Sequence, residues 1–174
     1  MNTIVTELMD ASRLQKGGVE PQWQDMNLRQ FVQQMTDSMK ALASEKNIHC
    51  VCTIPSESIE LRSDPILLTI VLQNLLSNAI KYSRDGQTVN VRLLKADDAV
   101  SVAVEDSGIG IPHADQERIF QKLFRAHNVR HMDVNGSGLG LYSSKMIIEK
   151  LGGAISFEST EGQGSTFTLT FPLN

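Results

Sequence analysis

Two asparagines one helical turn apart, Asn74 and Asn78, stand inside an otherwise apolar run, with Lys81 and Tyr82 one turn further along the same stripe. An amide carbonyl is a hard oxygen ligand, and Mg²⁺ takes one or two such protein oxygens while keeping waters and substrate phosphates. Asn is also a poor mid-helix residue, and a buried amide needs partners. A single such Asn reads as a core polar group bonded to neighbouring backbone. Two in register, with a lysine beyond them, read as a site for Mg²⁺ and phosphate. A second candidate is Asp106, which ends a run where Val100, Val102 and Val104 share one face by the two-residue period of a strand. Its carboxylate is therefore expected on the core side, just before Gly108 and Gly110, where the backbone must turn or approach a ligand closely. Two readings stay open for it: a cap for a helix starting near Pro112, or an acceptor for an exocyclic amine such as adenine N6, worth roughly 1.5 to 3 kcal/mol. The third candidate is Gly136-Ser137-Gly138-Leu139-Gly140-Leu141 at the start of a helix, where free N–H groups can converge on an anion. That signal is weak alone, since it is not GxxxxGK[ST] and follows a polar loop instead of a strand.

The elements that must position these groups are legible around one helix. Asp64 can cap a helix start and Pro65 suits the first helical position, so a helix is expected from there to Ser83. Ile66, Leu67, Ile70, Val71, Leu75, Ala79 and Ile80 make its core stripe, and Leu68, Leu72 and Leu76 a second flank, which leaves it mostly buried. Residues 1–16 carry Ile4, Val5, Leu8, Met9, Ala11 and Leu14 at helical spacing before Gly17-Gly18 stops the pattern. A linker and short strand over 19–27 precede a second helix, capped by Asn27 and running through Lys46, with Leu28, Phe31, Val32, Met35, Met39, Leu42 and Ala43 inward. Strands are expected over 48–54 and 58–62, a hairpin over 88–94 and 99–105, and a C-terminal hairpin over 154–159 and 165–172. Between the hairpins, Ile119, Phe120, Leu123 and Phe124 form an apolar patch. The unpatterned run from Arg125 to Asn135 reads as a lid loop. Arg125 and Arg130 can meet phosphates there, although exposed loop charges are more often merely solvated. His127 and His131 have the spacing of a metal pair but no third ligand, so loop histidines are expected.

Composition narrows the classes. A chain of 174 residues with 41% hydrophobic residues buries one proper core, and a net charge of −4 argues against nucleic acid as a partner. Cys50 and Cys52 fall on one strand face, where they cannot bridge each other, and no metal set completes them. No apolar run of membrane-spanning length and no signal peptide is found, so a cytoplasmic chain with reduced thiols is expected, with membrane anchoring of a longer protein left open.

Five segments together carry a family resemblance. Asn74–Tyr82 (NLLSNAIKY), Asp106–Gly110 (DSGIG), Ile119–Arg125 (IFQKLFR), Gly136–Leu141 (GSGLGL) and Gly162–Thr166 (GQGST) stand in the order and spacing of the N, G1, F, G2 and G3 boxes. They resemble the ATP-binding catalytic domain of bacterial two-component sensor histidine kinases, of the GHKL superfamily. The resemblance implies an α+β fold of Bergerat type, a two-layer α/β sandwich with a mixed sheet and helices on one face, with ATP and Mg²⁺ as cofactors. It makes Asn78 the Mg²⁺ ligand, Asn74 and Lys81 its phosphate-side neighbours, and Tyr82 and Arg125 part of the nucleotide site. Asp106 corresponds to the adenine-binding Asp, with Gly108 and Gly110 shaping that pocket. Gly136, Gly138, Leu139 and Gly140 correspond to the phosphate-side loop and Thr166 to a hydroxyl near the adenine. Asn135 departs from the pattern, where many members have a further glycine. Residues 1–18 resemble the end of the second helix of a dimerisation and phosphotransfer domain, with 19–174 as the catalytic domain. None of His49, His113, His127 and His131 has the family's phosphoacceptor context. The implied partners are the acceptor-His domain of the same protein, a cognate response regulator reached by phosphorelay, and a second copy in a full-length homodimer. The alternative is a related ATPase or serine kinase without a His acceptor.

Overall fold

The computed structural model describes residues 19–130 and 136–173, the side chain of Arg130 excepted. The expected helix over 1–16, the domain division after residue 18, and lid positions His131 and Asn135 lie outside the described residues. Strand β1 (Gln24–Asn27) pairs antiparallel with β3 (Glu60–Ser63) as a small ribbon. Between them come α1 (Leu28–Ser38), α2 (Lys40–Glu45) and β2 (His49–Thr53). After β3 follow α3 (Pro65–Tyr82), β4 (Thr88–Lys95), β5 (Ala99–Asp106) and a 3₁₀ segment (His113–Arg118). The short α4 (His127–Arg130), α5 (Gly140–Lys150), β6 (Ala154–Thr160) and β7 (Gly164–Pro172) complete the chain.

The main sheet has the order β2-β4-β5-β7-β6, parallel between β2 and β4 and antiparallel elsewhere, which is the mixed α+β sheet expected. Two-residue alternation sends Val89, Val91, Leu93, Val100, Val102, Val104, Phe167, Leu169 and Phe171 to one face, where they merge with the buried sides of α1, α3 and α5 into a single core. Asn90 and Arg92, on the opposite parity, are only partly covered, and Arg92 pairs there with Glu105 at 2.6 Å.

The start of α3 is as the sequence implies. Asp64 Oδ1 accepts from the N–H groups of Ile66 (2.9 Å) and Leu67 (3.0 Å), while Oδ2 accepts from Gln22 N at 2.7 Å. The burial pattern differs at one edge: Ile66 and Ile70, assigned to the core stripe, are 66% and 45% exposed. The inward arc is filled by Leu67, Leu68, Val71, Leu72, Leu75 and Leu76, so the Ile66–Ile70 ridge falls outside it.

The single helix expected from Asn27 to Lys46 is two. Asn27 does cap α1, its Oδ1 accepting from Gln30 N at 2.9 Å. Near its end, hydroxyls compete for helix carbonyls: Thr36 Oγ1 donates to Val32 O and Ser38 Oγ to Met35 O, and Met39 N turns back to Thr36 O. The chain breaks at Met39, so Ala43 faces the core and Leu42, expected inside, is exposed. Cys50 and Cys52 do share a half-buried face of β2, are unbridged, and have their thiol pKa values raised by burial.

The far end of α3 falls at Ser83, as expected, but no sequence pattern announced what holds it there. Lys46 Nζ donates to Ile80 O (3.1 Å), Lys81 O (2.5 Å) and Ser83 O (2.7 Å), placing an ammonium at the negative end of the helix dipole. Burial lowers its pKa from 10.5, while Asp85 opposes that shift. Lys46→Met keeps most of the stem and removes the charge. It should cost about 1 to 3 kcal/mol in urea unfolding at unchanged m-value, whereas a loss under about 0.5 kcal/mol would mean that water replaces the ammonium at those carbonyls.

Candidate functional site

A cleft of about 260 Å³ opens between α3, the turn after β5, the segment leading into α4, and the start of α5. It gathers Asn74, Asn78, Lys81, Tyr82, Asp106, Gly110, Arg125, Gly136, Gly138 and Gly140, residues spread over more than sixty positions of sequence. Three further candidates are not on its lining. Leu139 is fully buried in the core. Gly108 lies behind the wall, where a Cβ would overlap Tyr82 O and come within 2.8 Å of Asp106 Oδ1. Thr166 pairs with Glu105 and Glu158 on the other parity of β7, so Ser165 and Phe167 line the cleft instead.

The two asparagines divide their work. Asn74 Nδ2 donates to Ser144 Oγ of α5 at 2.9 Å, and its Oδ1 accepts from Asn78 Nδ2 at 3.4 Å. Gly140 packs directly on that amide, because a Cβ there would overlap Asn74 Oδ1. Asn74 is thereby a bridge between the two helices. Asn78, its Nδ2 committed, offers its carbonyl Oδ1 to the cleft as the hard oxygen that suits Mg²⁺. Among the described residues no group of three or more His, Cys, Asp or Glu side chains could hold a metal ion. One turn on, Lys81 Nζ lies 5.3 Å from the Tyr82 ring centroid, and Gly136 comes so near that a Cβ would stand 3.0 Å from the ammonium.

Asp106 is 9% exposed, on the inward parity expected, and opposite Ser165 in the sheet. Its Oδ1 accepts from Gly108 N at 2.8 Å, closing its own turn. It does not cap the segment after Pro112, which has no side-chain cap. Burial pushes its pKa up to about 6, against the backbone N–H groups of Gly108 and Ser165, which favour the charge. Gly110 (φ +62°) sits against Thr160 O and Gly164 (φ +118°) against Asp106 O, both too close for a side chain.

The far wall is a zipped loop. Leu123 N donates to Gly138 O at 3.0 Å, Gly138 (φ +71°) packs on Leu123 and Phe124, and the Arg118 guanidinium lies 4.4 Å from the Phe124 ring. Leu123 itself, expected in the apolar patch, has φ +62° and is exposed, since that turn throws its side chain outward. Arg125 Nη2 donates to Val129 O, bracing α4. His127 N and Nδ1 lie 2.6 and 2.7 Å from the two oxygens of the buried Asp115. That buried carboxylate escaped the sequence reading, because its run, His-Ala-Asp-Gln-Glu-Arg, looks like a solvated charge cluster.

Residues 63–174 match the family described as histidine kinase-, DNA gyrase B- and HSP90-like ATPases, and the chain belongs to that family. Its relatives include the sensor-like histidine kinase SenX3 of Mycobacterium tuberculosis, 36% identical over 172 residues, covering 99% of this chain and 42% of the relative. The sensor histidine kinase WalK of Bacillus subtilis is 29% identical over 174 residues, covering 99% and 28%. The chain thus spans less than half the length of these curated relatives. Among solved structures, the catalytic domain of histidine kinase ThkA superposes with TM-score 0.75 at 26% identity, covering 87% of this chain and 97% of that one. Full-length ShkA in complex with AMPPNP gives TM-score 0.85 at 24% identity, over 98% of this chain and 35% of that one, a likeness of fold.

The raised Asp106 pKa has a stability consequence. The folded state holds this proton more tightly than the unfolded chain, whose value is 3.8, so stability should fall as pH rises from about 4 to about 6 and then level off. The contribution is at most about 3 kcal/mol. Asp106→Asn is neutral throughout, and the difference between the two proteins in denaturant titrations should open across that window. Parallel pH profiles would show that Asp106 is not desolvated.

Proposed function

We propose that this chain binds Mg-ATP in the cleft and presents the γ-phosphate to a histidine on a separate domain of the same protein, as the catalytic part of a sensor histidine kinase. The observation that carries this reading is the opposition of Asp106, a buried carboxylate, to Asn78, Lys81 and the glycine loop across one cleft. One end suits a base that donates, the other suits phosphate. Ionised Asp106 accepts the exocyclic amine of adenine. Lys81, Arg125 and the N–H groups at the start of α5 take the phosphates. Asn78 Oδ1 would hold the Mg²⁺, which when bound supplies charge neutralisation on the phosphates. Phosphoryl transfer asks chiefly for positioning and neutralised charge. The chain's part is to hold ATP rigid while a histidine nitrogen attacks the γ-phosphorus and the bond to the β-phosphate oxygen breaks.

In this reading residues 1–18 end the second helix of a dimerisation and phosphotransfer domain and 19–174 form the catalytic domain. The full-length protein is a homodimer passing its phosphoryl group to a response regulator. No described helix is long and apolar enough to cross a membrane.

Mg-ATP at a hundred times its Kd should stabilise the chain by about 2.7 kcal/mol, roughly 5 to 10 °C in melting temperature. No shift with millimolar ATP or ADP would sink the assignment. Because the ionised Asp106 is the accepting form, ATP affinity should weaken as pH falls below about 6. Asn78→Ala should remove the Mg²⁺-dependent part of ATP affinity and leave the fold intact; equal Mg²⁺ dependence in both proteins would exclude the assigned ligand. With labelled ATP alone the chain should form no acid-labile, base-stable phosphohistidine, but it should slowly phosphorylate a separately supplied acceptor domain of its own protein. Transfer to serine in a protein partner would favour the alternative activity.

A further inference from the structure

Three side chains stand in a row across the sheet at the Asp106 end of the cleft. Ser165 of β7 lies opposite Asp106 of β5 on one side and opposite Ser159 of β6 on the other. All three are on the inward parity, since Phe157 and Phe167, two residues along from the serines, stack on that face with ring centroids 5.8 Å apart. Asp106 and Ser165 both line the cleft.

The two hydroxyls have few hydrogens to share. Each donates once and accepts up to twice. Ser159 Oγ accepts from Ile111 N at 2.8 Å and lies 2.9 Å from both Gly164 O and Ser165 Oγ. Gly164 O is a carbonyl and only accepts, so it takes the one hydrogen of Ser159. The contact between the serines then uses the hydrogen of Ser165, which points toward β6 and away from Asp106. What Ser165 Oγ has left for the cleft is a lone pair. Asp106 itself is served by the backbone N–H groups of Gly108 and Ser165.

We propose that Ser159 is a positioning residue that holds Ser165 as a second acceptor beside Asp106, so that this end of the cleft takes a group with two donor hydrogens, a primary amine, and rejects a carbonyl. This rests on the ATP reading above. One hydrogen of the adenine amine goes to Asp106 and the other to Ser165 Oγ. A base with a carbonyl in that place meets acceptors and has nothing there to give them, which is the costly case.

The test is calorimetric titration of ATP and of ITP, which has a carbonyl where adenine has the amine, into wild type and serine variants. Ser159→Ala frees the hydrogen of Ser165 to swing toward the ligand, and the ATP-to-ITP affinity ratio should fall about three- to tenfold. Gln116 Nε2 bonds Ile111 O at 3.1 Å and Ser159 O at 3.0 Å, so the corner stays tied when that hydroxyl is gone. Ser159→Cys, whose sulfur is a weak acceptor, should lower the ratio in the same sense and stands in if Ser159→Ala does not fold. Ser159→Thr keeps the hydroxyl and should keep the wild-type ratio. Ser165→Ala should lower the ratio too, and adding Ser159→Ala to it should lower the ratio no further. If the Ser159 variants weaken both nucleotides equally, Ser159 only ties down Ile111 and the proposal fails while ATP binding survives. A ratio unmoved by Ser165→Ala overturns it as well. Wild type that binds neither nucleotide overturns both readings.

Discussion

Asn74 donates to Ser144 across the gap between α3 and α5 and accepts from Asn78 on its own helix. An amide in an apolar helix must have its donors and acceptor used, or it costs more than a hydrophobic residue would. Meeting that demand sets the spacing of the two helices, forces a glycine at position 140 because no Cβ fits beside the amide, and leaves Asn78 with an oxygen to spare. The cleft is the space held open by this bridge.

The same economy governs charge. Asp106 is kept out of water by the sheet and by the turn through Gly108, and only two backbone N–H groups offset its desolvation. It is a carboxylate poised to gain from any donor that arrives. At the other end, the Lys81 ammonium stands beside Gly136, whose missing side chain lets the backbone come near. A polarity gradient thus runs along the cleft from acceptor to cation, which orients a molecule that has a donor at one end and anions at the other.

Much of this was legible in the residues themselves. Strand parity placed Asp106 inward, the Asp64-Pro65 pair marked the start of α3, and the turn residues gave both hairpins. What escaped has a common cause: it depends on contacts between distant residues that leave no periodic trace. Lys46 looked like an ordinary solvated lysine at a helix end, yet it ties down α3 from another element. Asp115 looked like part of a charged surface run and is buried under His127. Ile66 and Ile70 satisfied the helical period but lie beyond the arc that the sheet can cover. The break at Met39 came from hydroxyls competing for carbonyls, an effect that hydrophobic spacing does not register.

The bridge from Asn74 to Ser144 joins residues seventy apart in sequence. Contacts of that span repay their loop-closure entropy late, after the local hairpins and helices have formed. The cleft therefore exists only once the long-range contacts of the fold are made, and a partly folded chain has no place for a ligand to grip. Whatever occupies it acts on the escape rate from the native state and leaves the rate of reaching that state nearly untouched. Occupancy sets the lifetime of the fold, so a depleted ligand pool would shorten the survival of the domain without slowing its production.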